Sequence, residues 1–123
     1  MENKPFILIV EDTKTHSDLV IKILTHFGYK TILKETGKDA IDFCEKELPN
    51  LVLLDISLPD MNGAEVAAIF KKKPSFSNIP IIAVSVHSKA SIQETFVCKS
   101  FDDYISKPFT IQELMDKVRH YLG

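Results

Sequence analysis

Leu51-Val52-Leu53-Leu54-Asp55 decides the fold: four apolar residues in a row, closed by a carboxylate and followed by the loop-like run Ser57 to Gly63. The run has strand length and no polar alternation, so it reads as a strand buried on both faces. Pro59 and Gly63 punctuate the loop after it. Upstream, Phe6-Ile7-Leu8-Ile9-Val10 has the same character and ends at Glu11-Asp12. Tyr29 to Leu33 reads as a second strand, Ile79 to Val84 as a fourth, and Asp103-Tyr104-Ile105 as a short fifth.

Helical patterns fill the gaps between these strands. Leu19, Val20, Ile23, Leu24 and Phe27 share one stripe, and Gly28 stands where a helix C-terminal glycine is favoured. Ala40, Ile41, Cys44 and Leu48 mark a second helix stopped by Pro49-Asn50, and Val66, Ile69 and Phe70 mark a third that runs into Lys71-Lys72-Lys73 and Pro74. Ile92 and Phe96 anchor a fourth. Thr110 and Glu113 have capping-box spacing ahead of Ile111, Leu114, Met115, Val118 and Leu122, the fifth. Strict strand–helix alternation with apolar strands predicts an α/β domain, a parallel sheet covered by helices on both faces. Right-handed crossovers follow from chirality.

Composition excludes several classes. With 123 residues, 45% hydrophobic and 26% charged, the chain can build one core without disulfides or structural metal. A net charge of -2 gives no bulk electrostatic attraction to nucleic acid. No apolar run has the length of a membrane span, and the first residues lack the organisation of a secretory signal. Cys44 and Cys98 read as reduced, partly buried thiols, and His16, His26, His87 and His120 lack metal-ligand spacing, so zinc is not expected. A cytoplasmic location is the expectation.

Parallel α/β sheets bind ligands outside the carboxyl ends of their strands. There the sequence places Glu11 and Asp12, Asp55, Ser85 and Lys107. Three carboxylates together repel one another, and a divalent cation compensates them. Mg²⁺ prefers such oxygen donors. An Asp carboxylate can attack phosphorus, a transfer that depends on positioning and charge neutralisation, which a metal, the Lys107 ammonium and the Ser85 hydroxyl can supply.

Over its whole length the chain resembles the response-regulator receiver family of two-component signalling. The resemblance rests on Ile7-Leu8-Ile9-Val10-Glu11-Asp12, Leu53 to Gly63, Ile81 to Ser85 and Asp102 to Phe109, in order and each at an expected strand end. It implies a stand-alone receiver over residues 1–123 with a (βα)5, doubly wound, flavodoxin-like fold and strand order 2-1-3-4-5. It implies that Asp55 accepts a phosphoryl group from phosphohistidine with Mg²⁺ as cofactor, Mn²⁺ being a substitute. Asp12 and Asp55 would bind the metal, Glu11 would act nearby or through water, and Ser57 would contribute its backbone carbonyl. Ser85 would bond the phosphoryl group and Lys107 would pair with it, across a cis Lys107–Pro108 peptide.

Tyr104 matches the family's aromatic switch residue, or it is a fixed core aromatic. The switched surface would be the fourth helix, fifth strand and fifth helix. The implied partners are a sensor histidine kinase or histidine phosphotransfer protein and a downstream protein, with no direct nucleic-acid contact. Asp103, Glu113 and Lys117 partly match charges used for dimerisation, so either a monomer or a phosphorylation-linked dimer is expected. The chain would be no enzyme beyond its own phosphorylation and dephosphorylation.

Departures from the family pattern bear on rates. Val86 replaces a very small residue beside Ser85 and is expected to crowd the phosphoryl group, slowing its gain and loss. Ser57 and His87 occupy positions that tune dephosphorylation, and Ser100-Phe101 replaces a Gly-Ala turn. Lys71-Lys72-Lys73 reads as a solvated helix end, or as a phosphate or partner patch; His120 reads as surface. Two other readings compete. A phosphorylation-independent interaction module would have lost an acid, Asp55 or Lys107, and none is lost. A haloacid-dehalogenase-type hydrolase needs a second Asp where Ser57 stands.

Overall fold

A computed structural model describes residues 5–86 and 100–123. Five strands, β1 (Phe6–Val10), β2 (Lys30–Lys34), β3 (Leu51–Asp55), β4 (Ile81–Ser85) and β5 (Asp103–Ser106), form one parallel sheet in the order β2-β1-β3-β4-β5. The described helices are α1 (Lys14–His26), α2 (Gly37–Cys44), α3 (Gly63–Lys72) and the C-terminal α4 (Ile111–Leu122), with a 3₁₀ turn at Pro74–Phe76. The helix expected around Ile92 and Phe96 lies outside the described residues, as do His87 and Cys98.

The unbroken apolar runs are explained by where alternate side chains go. Ile7 and Ile9 of β1, with Leu51 and Leu53 of β3, face a core completed by Val20 and Leu24 of α1 and Leu114 and Val118 of α4. Leu8, Val10, Val52 and Leu54 face the opposite core, against Ala40 and Cys44 of α2 and Val66 and Phe70 of α3. β1 and β3 are thus apolar on both faces because each face has its own helical layer, whereas the edge strands β2 and β5 carry Lys30, Lys34 and Asp103. Phe70 stacks on Phe76 with ring centroids 4.5 Å apart, closing the lower end of the second core. Cys44 is buried there, and burial pushes its thiol up to about 12, so it is an inert core thiol.

Several boundaries differ from the sequence reading for identifiable reasons. β4 starts at Ile81, because the Ile79 amide donates to Phe76 in the 3₁₀ turn and Pro80 has no amide to give. β2 runs one residue later than expected, from Lys30 to Lys34, because Gly28 (φ +89°) and Tyr29 are spent closing α1 onto Thr25 and Leu24. α2 stops at Cys44, leaving Leu48 exposed. The apolar stripe of α1 and its C-cap is only partly covered: Val20, Ile23 and Leu24 are buried, while Leu19 and Phe27 are 52% and 41% exposed. Phe27 lies instead against the Arg119 guanidinium, 5.3 Å from its ring centre.

The capping box of α4 is complete. The Glu113 amide donates to Thr110 Oγ1 (3.0 Å) and the Thr110 amide to Glu113 Oε1 (2.9 Å). Thr110→Ala is expected to cost about 1 kcal/mol in urea denaturation, with Thr110→Ser near the parent value. No loss in the alanine variant would mean that packing alone holds the helix.

Candidate functional site

The carboxyl ends of β1, β3, β4 and β5 converge on one edge, as strand direction in a parallel sheet requires. Glu11, Asp12 and Asp55 each offer a carboxylate oxygen within 4.8 Å of the others. Glu11 and Asp55 are buried and Asp12 is exposed. Glu11 is held from two sides: Oε1 accepts from Lys107 Nζ (2.7 Å) and Oε2 from the Thr13 amide (3.2 Å). Asp55 Oδ1 accepts from the Ser57 amide (3.1 Å), and Lys107 Nζ lies 3.8 Å from its Oδ2. Lys107 approaches from the loop after β5, its peptide to Pro108 is cis, and its amide donates to the Ser85 carbonyl (2.7 Å).

The charge balance of this cluster favours a cation. Burial, reinforced by the hydrogen bond and charge of Glu11, pushes the Asp55 carboxyl up to about 7, against the opposing pull of Lys107 and the Ser57 amide. Burial also disfavours charge on Glu11, but hydrogen bonds from Asp55, Lys107 and Thr13 outweigh it and hold Glu11 below the usual carboxylate range. One ammonium therefore does not neutralise the buried pair, and the pair retains a proton into the neutral range. An all-oxygen donor set carrying excess negative charge fits a hard divalent ion such as Mg²⁺.

The loop that carries Ser57 is pinned at both ends. The Gly63 amide donates to the Ile56 carbonyl (2.8 Å), Ser57 bridges to Asn62, and the Asn62 side chain caps α3 at the Ala64 amide (2.7 Å). Asp60 reaches across to cap α2, accepting from the Gly37 and Lys38 amides at 2.8 and 2.9 Å. Those bonds hold its carboxyl below the usual range.

Ser85 is buried at the end of β4, and Tyr104 is half-buried on β5 with its ring against Phe101. Val86 follows Ser85 and is 69% exposed. His87 lies outside the described residues.

Other charges singled out in the sequence have local partners. Lys71 donates to the Ile79 carbonyl (2.7 Å) and pairs with Asp102 (3.1 Å), and Lys73 pairs with Glu45. Only Lys72 of that run is exposed, so it forms the end of a helix tied to its neighbours. Lys117 pairs with Asp103 at 2.7 Å, and Glu113 is engaged in the capping box.

Sequence reasoning overlooked His16. Its Nδ1 lies 3.0 Å from Lys107 Nζ, at the edge of the acidic cluster. Its position four residues after Asp12, on the first turns of the helix leaving the site, was the available signal. An apolar cavity of about 160 Å³ opens beside these groups, lined among others by Leu19, Leu53, Val84, Phe109 and Leu114.

The family model for the response regulator receiver domain matches residues 7–119. The polar-differentiation response regulator DivK of Brucella ovis is 32% identical over 117 residues, covering 95% of each chain. The receiver domain of a sensor histidine kinase from Pseudomonas aeruginosa PAO1, solved with a magnesium ion coordinated in its active-site cleft, superposes with a TM-score of 0.90. It is 25% identical and covers 98% of this chain and 99% of its own. The response regulator TrrA of Thermotoga maritima, solved with Mg²⁺ and BeF, superposes with a TM-score of 0.87. It is 29% identical, covering 97% of this chain and all of its own (100%).

Proposed function

The chain belongs to the response regulator receiver family, and on that premise we propose that Asp55 is the acceptor of a phosphoryl group in a two-component phosphorelay. The observation that carries this reading is Asp55 itself, a buried carboxylate at a strand end with Glu11 and Asp12 within metal-sharing distance and an ammonium 3.8 Å away. An Asp55 oxygen forms the new P–O bond as the P–N bond of a donor phosphohistidine breaks, and the released imidazole takes its proton from solvent. Asp12, Asp55 and the Ser57 carbonyl would hold Mg²⁺, or Mn²⁺ in its place, with Glu11 close by. When bound, the cation offsets the charge of the phosphoryl oxygens.

Lys107 is the second neutralising group, and the Ser85 hydroxyl is placed at the end of the neighbouring strand to bond a phosphoryl oxygen. The added charge then biases Ser85 and Tyr104 toward a second arrangement of the surface to which β5 and α4 belong; the fourth helix expected in that surface lies outside the described residues. The donor is a sensor histidine kinase or a histidine phosphotransfer protein, and a downstream protein reads the altered surface. The exposed Leu19 and the neighbouring Phe109, lining one cavity with Asp55 and Lys107, suit an apolar docking face beside the acceptor. The chain acts only on its own acceptor, and a cytoplasmic setting is part of the reading.

Intact-protein mass after incubation with a small phosphodonor is the test. A labile adduct that requires Mg²⁺ and is absent from Asp55→Asn is expected. An adduct that persists in the variant would move the acceptor elsewhere. No adduct from either a small donor or a phosphohistidine donor, together with no beryllofluoride binding, would favour a phosphorylation-independent interaction module.

A further inference from the structure

Lys107 is shared among three acceptors at unequal distances: Glu11 Oε1 at 2.7 Å, His16 Nδ1 at 3.0 Å and Asp55 Oδ2 at 3.8 Å. An ammonium has three N–H donors and no acceptor, so the His16 nitrogen facing it must be the unprotonated one. His16 Nδ1 is also 3.7 Å from Glu11 Oε1, too long for a hydrogen bond, so its partner is Lys107. Two N–H vectors of a tetrahedral ammonium pinned to Glu11 and His16 leave the third pointing in a determined direction. Asp55 Oδ2, 3.8 Å from the same ammonium, is the group left for that third N–H to face.

We propose that His16 is a positioning residue for Lys107: its neutral Nδ1 anchors the ammonium from α1 so that one N–H stays directed at the acceptor carboxylate. The need for such an anchor follows from the chemistry of the site. Glu11 is the other anchor, and it belongs to the cluster whose charge a cation would claim. His16 accepts through an unprotonated ring nitrogen and stands on α1, which carries none of those three carboxylates. It therefore keeps a hydrogen bond on the ammonium whichever way Glu11 is engaged. A long lysine side chain without it has several rotamers to sample, and a misplacement of about 1 Å can cost up to about 100-fold in rate. This inference deepens the phosphoacceptor reading and rests on it.

The test combines three measurements on the full chain. Long-range ¹H–¹⁵N spectra of the metal-free protein report the His16 tautomer directly. The expected pattern is a proton on Nε2 with Nδ1 accepting, lost in Lys107→Met, whose stem fills the same space. Secondly, His16→Ala is expected to lower the rate constant for phosphorylation by a small donor about tenfold, while His16→Asn, whose Oδ1 can occupy the Nδ1 position, stays within about threefold of the parent. Thirdly, His16→Ala in the Lys107→Met background is expected to cause no further loss, since a residue acting through Lys107 has nothing left to position.

A tautomer pattern indifferent to Lys107→Met would overturn the proposal. So would an unchanged rate in His16→Ala, or a loss that persists undiminished without Lys107. If the parent protein forms no adduct, the phosphoacceptor reading fails, and the tautomer measurement still decides whether His16 holds Lys107.

Discussion

Asp55→Asn is expected to stabilise the metal-free protein by ~2 kcal/mol at pH 8 and to flatten its dependence on pH. The sign follows from the direction of the shift. The folded carboxyl titrates at about 7, above its ordinary value of 3.8. Between these values the native state holds a proton that the unfolded chain has released. Stability is therefore greatest below the unfolded value and falls as pH rises to about 7.

A shift of this size alone corresponds to ~4 kcal/mol. Glu11 is shifted the opposite way, contributing stability above its ordinary 4.5 that is lost as pH falls through its folded value, and it shares the same hydrogen bond. The smaller figure reflects that sharing. Asparagine keeps the size and an acceptor oxygen for the Ser57 amide but removes the charge that Glu11 repels.

Urea denaturation with chelator at pH 5 and pH 8 measures the effect. The parent should lose stability between the two and regain it at pH 8 with Mg²⁺ by mass action. The variant should show neither change. A variant no more stable than the parent at pH 8 would mean that the carboxylate cluster is relaxed by solvent and carries no stored repulsion.

Gly63→Ala is expected to be the most damaging single-methyl substitution near the site, costing about 3 kcal/mol and abolishing Mg²⁺ binding. A Cβ at Gly63 would lie 2.5 Å from the Asp55 carbonyl oxygen and 2.8 Å from Ile56 Cα. Both are backbone atoms. They cannot yield cheaply, because Asp55 is registered against Val84 across the sheet and the Ile56 carbonyl already receives the Gly63 amide. Helix propensity pulls the other way, since alanine in α3 gains up to about 1 kcal/mol over glycine, and the steric term exceeds it. Any relief moves the end of β3, and the Asp55 carboxylate moves with it.

Gly37→Ala is the natural comparison. Its Cβ would meet Val66 Cγ2 at 2.8 Å and Met61 Sδ at 2.9 Å, side-chain atoms of which the methionine can rotate away. A loss of about 1 kcal/mol with Mg²⁺ binding retained is expected there. Equal losses for the two variants would show that the β3 end is softer than its hydrogen bonds indicate.

The sheet and the acidic cluster were legible in the sequence because both follow from local pattern. A strand covered by helices on both faces must be apolar at every position, so Phe6–Val10 and Leu51–Leu54 announce themselves without long-range information. Parallel direction then brings the residues that end these runs to one edge, which is why the sequence alone groups Glu11, Asp12 and Asp55. The α4 boundary was equally plain, since Thr110 and Glu113 satisfy one another within one turn.

What the sequence could not determine were the interactions between residues far apart in it. Leu19 and Phe27 carry the same helical period as Val20 and Leu24, and only the tertiary packing leaves the first two exposed and the others buried. Lys71 and Lys73 look alike in a run of lysines until Asp102 and Glu45, 31 and 28 positions away, are brought beside them. Asp60 shows no sign in sequence of capping a helix that begins 23 residues earlier. His16 and Lys107 are 91 residues apart. Local physics thus determined the strands, their order of polarity and the carboxylates at their ends. The tertiary structure alone decided which charge neutralises which, because ion pairing depends on distances that only the closed sheet sets.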